Sequence, residues 1–185
     1  MRVNQLKESM GDKVDITWRS FLLRTEPKTT TIEKFREYTK SWANPQNAAP
    51  EAKFTTPWAS DSEPPSESLP AQVAWKATAL FGQEAQDRYH EALLTAYFTD
   101  NRDISSWGVL IDIAAETGLD PQEFAARLDE SKQHLASWVI DEHNSAIQNG
   151  ISAVPTIMIG EFPIPGAQEL ETYERLIERY IERRG

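Results

Sequence analysis

Gly150-Ile151-Ser152-Ala153-Val154-Pro155-Thr156-Ile157-Met158-Ile159-Gly160-Glu161-Phe162-Pro163-Ile164-Pro165-Gly166-Ala167-Gln168 is the stretch on which the fold turns. Ala153 to Ile159 is a short apolar run of β type, Gly160-Glu161 is a turn pair, and Phe162-Pro163-Ile164 can return antiparallel. The spacing therefore predicts a hairpin. Directly after it, Leu170, Tyr173, Leu176, Ile177, Tyr180 and Ile181 recur at helical spacing, with Glu and Arg on the other face. That pattern predicts an amphipathic helix covering a sheet.

Upstream, the period from Ala71 to Gly150 is helical throughout. One helix spans Ala71–Phe81, between Pro70 and Gly82, and a second spans Glu84–Phe98. Ser105 or Ser106 can cap a third over Trp107–Thr117, which Gly118 closes. Asp120-Pro121-Gln122-Glu123 opens a short fourth helix through Phe124 and Leu128, and Ser131 starts a separate longer one through Leu135, Trp138, Val139 and Ile147.

Asn44 to Pro70 carries six prolines, which excludes regular helix or a central strand, and it contains Phe54 and Trp58, so it reads as a long ordered loop that packs down on the protein. Before it, Thr30 and Glu33 form a capping box for a helix with an aromatic side made of Phe35, Tyr38 and Trp42. Val14, Ile16 and Trp18 alternate with Asp15, Thr17 and Arg19, predicting a strand over 13–23 buried on one face at its start. Val3, Leu6 and Met10 share one side of a helix over 2–10 that has no capping residue ahead of it, like the back half of a longer helix.

The 185 residues include Lys+Arg 19 and Asp+Glu 29, a net charge of -10, and no cysteine. Length predicts one domain with a substantial core, with room for an inserted subdomain. The missing thiols exclude disulfide scaffolds, thiolate zinc sites, iron–sulfur clusters and a cysteine nucleophile. An acidic balance argues against nucleic-acid binding, which asks for a basic stripe. The first eight residues lack the apolar core of about 7–15 residues of a secretory signal. No run approaches the ~20 apolar residues that span a bilayer. The expectation is a soluble cytoplasmic protein with neither membrane nor nucleic-acid partners.

Side-chain constellations for chemistry are sparse. The three histidines, His90, His134 and His143, include no pair at metal-binding helical spacing. His134 and His143 fall on nearly opposite sides of one helix at about 100° per residue. His90 reads as a solvated helical residue, and no metal or cofactor is expected. Ser60 and Ser62 have no histidine at a readable distance for a hydrolase triad. The tryptophans read as core, all but Trp58.

In combination, Gly150-Ile151-Ser152-Ala153-Val154-Pro155-Thr156 and Gly166-Ala167-Gln168 resemble the G-V-x-x-V-P-T/F and G-A-Q signature of the DsbA family, FrnE-like branch. Asp15 to Leu23 is similar to that branch's second strand, and Leu94 to Phe98 with Arg102-Asp103-Ile104-Ser105 is similar to its insert. The resemblance covers essentially the whole chain. It implies an α/β, thioredoxin-like fold with an all-helical insertion: residues 1–30 and 150–185 form the thioredoxin-like part, and 31–149 form the proline-rich loop and helical insert. It further implies that Pro155 is a cis-proline and that Val154 offers its backbone to an extended peptide or disulfide-containing protein substrate, as in β-strand addition.

The family's redox centre is a C-x-x-C at a helix N-terminus, where the dipole stabilises a thiolate. These residues do not contain it, nor the strand before it, so no catalytic residue is assigned and the chain is expected to be redox-inert. A lost central strand leaves bare sheet edges. Three outcomes are open: the strand over 14–23 pairs with the hairpin, a partner chain supplies a strand (a homodimer included), or the sequence starts at an internal Met of a longer frame, which is the favoured expectation. The functional alternatives are a glutathione-dependent isomerase or transferase of the hydroxychromene-carboxylate isomerase and kappa type, and a non-catalytic peptide-binding module.

Overall fold

A computed structural model describes residues 2–48 and 52–184. In chain order the elements are α1 (Arg2–Met10), α2 (Ile32–Thr39), α3 (Ala43–Ala48), α4 (Leu69–Thr78), α5 (Gln83–Phe98), α6 (Trp107–Glu116), α7 (Pro121–Gln148), β1 (Thr156–Ile159), β2 (Phe162–Pro165) and α8 (Leu170–Glu182). Short 3-10 turns follow α1, α2 and α4. The chain divides into two compact units: one comprises the chain up to Phe21 together with Glu142 onward, the other Leu22–Asp141.

The first unit is built on the expected hairpin. β1 and β2 pair antiparallel, Ile157 opposite Ile164 and Ile159 opposite Phe162, across the Gly160-Glu161 turn. Gly160 has φ +61°, a conformation L side chains rarely adopt, and a Cβ there would overlap the Tyr180 hydroxyl. Alternation sends Ile157, Ile159 and Ile164 to one face of the sheet. They pack with Leu6 and Met10 of α1 and with Tyr173 and Ile177 of α8. The Tyr173 hydroxyl accepts from the Gln168 N–H at 3.0 Å and donates to the Gly166 carbonyl at 3.1 Å, so the helix that covers the sheet also holds the Gly166-Ala167-Gln168 turn.

The strand expected over 13–23 is not formed. Val14 is extended (φ −131°, ψ 139°), yet the sheet contains β1 and β2 alone, and 14–20 makes no ladder among the described residues. An alternating pattern needs a neighbouring strand to become a ladder, and none lies beside it. Trp18 is accordingly 44% exposed. The segment is instead fixed at its far end, where Glu142 accepts from the Ser20 N–H at 2.7 Å and from Arg19 at 3.1 Å.

The second unit is helical. Its main core joins Val73, Ala74 and Ala77 of α4, Tyr89 and Ala96 of α5, Leu110, Ile113 and Ala114 of α6, and Phe124, Leu128, Leu135 and Val139 of α7. A separate aromatic cluster contains Phe35, Trp42 and Trp58, with Phe54, Tyr97 and Phe98 against them. Trp58 is 1% exposed, so its expected place outside the core is corrected: its ring stands edge-on to Phe35 at 5.0 Å and its indole N–H donates to the Ser62 carbonyl. Tyr38, expected on the buried side of α2, is exposed.

Four local readings also change. The cap of α2 is Thr31 rather than Thr30, and the Glu33 backbone amide and Thr31 hydroxyl hold the Glu33 carboxyl below its ordinary range. Pro45 sits inside α3, in its first turn, so the proline-rich stretch begins as helix and not as loop. The two helices expected from Asp120 to Gly150 are one helix of 28 residues. No Gly or Pro interrupts it, and the Ser131 hydroxyl donates to the Arg127 carbonyl one turn back instead of capping a new start. Ser106 stands at the N-cap of α6 without making a side-chain cap. Asp120 does cap α7, accepting from the Gln122 and Glu123 amides at 3.0 and 2.8 Å.

The proline-rich segment is ordered by polar anchors. Asn101, buried at φ +54°, accepts from the Ala59 N–H at 2.8 Å and donates to the Thr55 and Tyr97 carbonyls at 3.3 Å. Asp103 accepts from the Ser105 hydroxyl at 2.6 Å, and Ser105 in turn accepts from the Ser66 N–H at 3.0 Å. At the other end Arg24 accepts a backbone bond from the Ser68 N–H at 3.1 Å.

Candidate functional site: one open edge of a two-stranded sheet

Val154 and Pro155 lie immediately before β1, joined by a cis peptide bond, and Val154 is 44% exposed. The Gly166 N–H donates to the Pro155 carbonyl at 2.9 Å, extending the β1–β2 register by one pair. That bond sets the phase of the ladder. Hydrogen-bonded and non-bonded pairs alternate in an antiparallel sheet. Ile157/Ile164 and Ile159/Phe162 are therefore the bonded pairs, while Thr156 and Met158 turn their N–H and C=O groups away from β2.

Val154 lies in the bend ahead of β1, outside the ladder. Among the described residues nothing pairs with the outward backbone groups of Thr156 and Met158. The opposite edge is different in kind. The β2 residues that face away from β1 are Pro163 and Pro165, which have no N–H to offer. The sheet thus has one edge that can accept a further strand and one closed by proline, a common guard against edge pairing.

The segment that carries the open edge is itself poor in charge. Met158 is 39% exposed and Phe162 52%, and between Asn149 and Gln168 the one ionisable side chain is Glu161. The Thr156 hydroxyl donates to the Ala153 carbonyl at 2.7 Å, bracing the bend into the strand. Chemically this arrangement can hold a polypeptide backbone.

Among the described residues no cluster of three or more His, Asp or Glu could hold a metal, and no helix is long and apolar enough to cross a membrane. Burial displaces further titrations in the helical unit. Tyr97 is pushed up to about 12, and His90, expected to be solvated, is half-buried against Trp75 at 5.8 Å with its pKa lowered. Sequence reasoning singled out Val154 and Pro155 but missed the outward role of Thr156 and Met158. The signal available was the alternate prolines 163 and 165, which mark which strand edge is closed.

Comparison with known proteins gives a family model, DSBA-like thioredoxin domain, matching residues 1–178. YwbO of Bacillus subtilis, an uncharacterized protein, is 22% identical over 181 residues, 90% of this chain and 82% of that protein. A proposed protein disulfide isomerase from Nitrosomonas europaea superposes with a TM-score of 0.75 at 16% identity, covering 100% of this chain and 90% of that one. The cytosolic disulfide reductase DsbM from Pseudomonas aeruginosa gives a TM-score of 0.68 at 16% identity over 97% of this chain and 86% of that one. The expected α/β, thioredoxin-like fold with a large helical part is borne out by these likenesses.

Proposed function

Because the chain belongs to the DSBA-like thioredoxin-domain family, we propose that these residues form a polypeptide-holding module. Val154, beside Pro155, presents its backbone N–H and C=O to an extended segment of a disulfide-containing protein. The chain itself carries no thiol chemistry, since thiol–disulfide exchange needs an attacking thiolate and it has no cysteine. The observation that carries the reading is the exposed position of Val154 ahead of β1, where its backbone makes no hydrogen bond among the described residues. β-strand addition of this kind draws affinity from main-chain bonds and specificity from alternate side chains.

A cytoplasmic setting belongs to the same reading, supported by the likeness to a cytosolic disulfide reductase. The test is binding of a fluorescent extended peptide to the chain and to Val154→Pro, which removes the Val154 N–H. Affinity should fall about tenfold, the weight of one backbone bond and its steric replacement. Unchanged affinity with an intact fold would remove Val154 from the site. Coupled reduction of an insulin-type disulfide should show no turnover, and measurable turnover would overturn the assignment of no thiol chemistry.

A further inference from the structure

We propose that Asn149 is a self-modification site: its side-chain amide is lost to attack by the Gly150 backbone nitrogen, and the isoaspartate left behind unlatches the C-terminal end of α7. Asn149 is the one asparagine in the chain followed by glycine, and no aspartate precedes a glycine. The neighbour matters because a following side chain crowds the attacking nitrogen, and glycine has none. Both residues are exposed, and open space surrounds the position a Gly150 Cβ would take. The other asparagines are worse placed. Asn101 is buried with its side chain bonded to Ala59, Thr55 and Tyr97. Asn44 precedes Pro45, whose nitrogen has no proton to lose, and Asn144 lies inside α7 ahead of Ser145. Asn4 and Asn47 precede Gln5 and Ala48, which carry side chains.

The reaction needs water as its only co-reactant. Base removes the Gly150 amide proton and the nitrogen attacks Asn149 Cγ; the N–Cγ bond forms, the Cγ–Nδ2 bond breaks, and ammonia leaves. Water then opens the resulting succinimide at either carbonyl. Opening at Cγ gives aspartate, and opening at the main-chain carbon gives isoaspartate, in which the chain runs through Cβ and Cγ. The sum is asparagine and water to aspartate or isoaspartate and ammonia, with no change of oxidation state.

The way α7 ends restrains this reaction. Gly150 has φ +77°, its N–H donates to the Ile147 carbonyl at 3.0 Å, and the Ile151 N–H donates to the Ala146 carbonyl at 3.0 Å, the paired bonding of a left-handed glycine cap. The Ser145 carbonyl accepts from the Asn149 N–H at 3.0 Å and from Asn149 Nδ2 at 2.7 Å. Attack requires the Gly150 nitrogen and the Asn149 amide to leave these acceptors, so it proceeds from the frayed helix end. Both products then oppose re-formation of the cap. A carboxylate cannot donate to Ser145, and it places negative charge at the negative end of the helix dipole. Isoaspartate also lengthens the chain between positions 149 and 150, so the Gly150 and Ile151 amides lose register with Ile147 and Ala146. The segment released is the one that leads through Pro155 into β1.

The test ages the full chain at mildly alkaline pH, native and in guanidinium chloride, and separates the asparaginyl, aspartyl and isoaspartyl peptides by chromatography with electron-transfer fragmentation. Conversion should concentrate at Asn149, rise with pH, and run about tenfold faster in the unfolded chain, the weight of the bonds that hold the cap. Asn149→Gln, at an exposed position, should lose the conversion. The aged native fraction is then isolated by ion exchange on its added negative charge. Its hydrogen exchange at Gly150 and Ile151 should quicken about tenfold while the amides of α4 to α6 stay protected. A native chain that keeps Asn149 while the unfolded chain converts it would overturn the site. Equal rates in the two states would overturn the restraint by the helix end. Parental exchange at Gly150 and Ile151 in the aged chain, or a uniform rise throughout, would overturn the unlatching.

Discussion

The helical unit and the hairpin unit solve the same problem of backbone polarity in opposite ways. In the helical unit even the irregular segment is satisfied: Asn101 alone engages Ala59, Thr55 and Tyr97, and Ser105 holds Ser66, so a proline-rich loop becomes part of the core around Trp58. In the hairpin unit a two-stranded sheet closes one edge with Pro163 and Pro165 and, among the described residues, has no strand on the other. Isolated two-stranded hairpins are marginal in water without packing against a helix. Here that packing comes from α1 and α8 through Leu6, Met10, Tyr173 and Ile177. The difference teaches where binding is built: backbone groups that cannot be spared are locked by buried side chains, and backbone groups that are free sit on the unit with the smaller core.

The contrast breaks most severely at the aromatic cluster. Phe35→Ala, removing a ring that is 1% exposed and edge-on to Trp58, should cost about 3–5 kcal/mol in urea or thermal unfolding. A loss below about 1 kcal/mol would mean that the cluster is not a core. Asn101→Ala should follow at about 2–3 kcal/mol, since it strands the Ala59 N–H and forces a non-glycine residue at φ +54° to hold its place without hydrogen bonds. Limited proteolysis should then cut within 52–68, and continued resistance would remove Asn101 as the anchor.

Gly160→Ala probes the other unit. The new Cβ meets Tyr180 and the turn keeps φ +61°, so about 2 kcal/mol is expected. Hydrogen exchange should quicken in β1, β2 and α8 while the amides of α4 to α6 stay protected. A uniform increase would show that the two units do not open separately.

The smallest effect is the acid response of His90. Burial lowers its pKa, with Glu91 and Asp87 opposing, so the unfolded chain binds this proton more readily than the folded one. The stability held by neutral His90 is present above the ordinary value of 6.5 and is lost as pH falls from there through the folded value. His90→Gln should flatten the slope of unfolding free energy as pH falls below about 6.5. An unchanged slope would remove His90 from the acid response.

Much of this molecule was legible in its residues. The hairpin over 153–164, the amphipathic α8, the Asp120 cap and the helical period from Ala71 onward depend on local pattern, and local pattern is what a sequence carries. The α/β, thioredoxin-like expectation drawn from Val154-Pro155-Thr156 and Gly166-Ala167-Gln168 likewise needed only the order of those residues. Alternation at Val14, Ile16 and Trp18 predicts a strand that does not form, because a strand exists only where another strand pairs with it. Likewise Ser131 looks like a cap until its hydroxyl is seen bonded back to Arg127.

The sequence by itself determined the hairpin, the amphipathic α8, most of the helices and the absence of thiol chemistry, because periodicity, composition and chain order are one-dimensional properties. Only the tertiary structure decided that Trp58 is buried, that 14–20 has no ladder, and which edge of the hairpin is open. Edge polarity follows from the phase of inter-strand bonds, and that phase was fixed by one contact between residues 11 positions apart, Gly166 to Pro155.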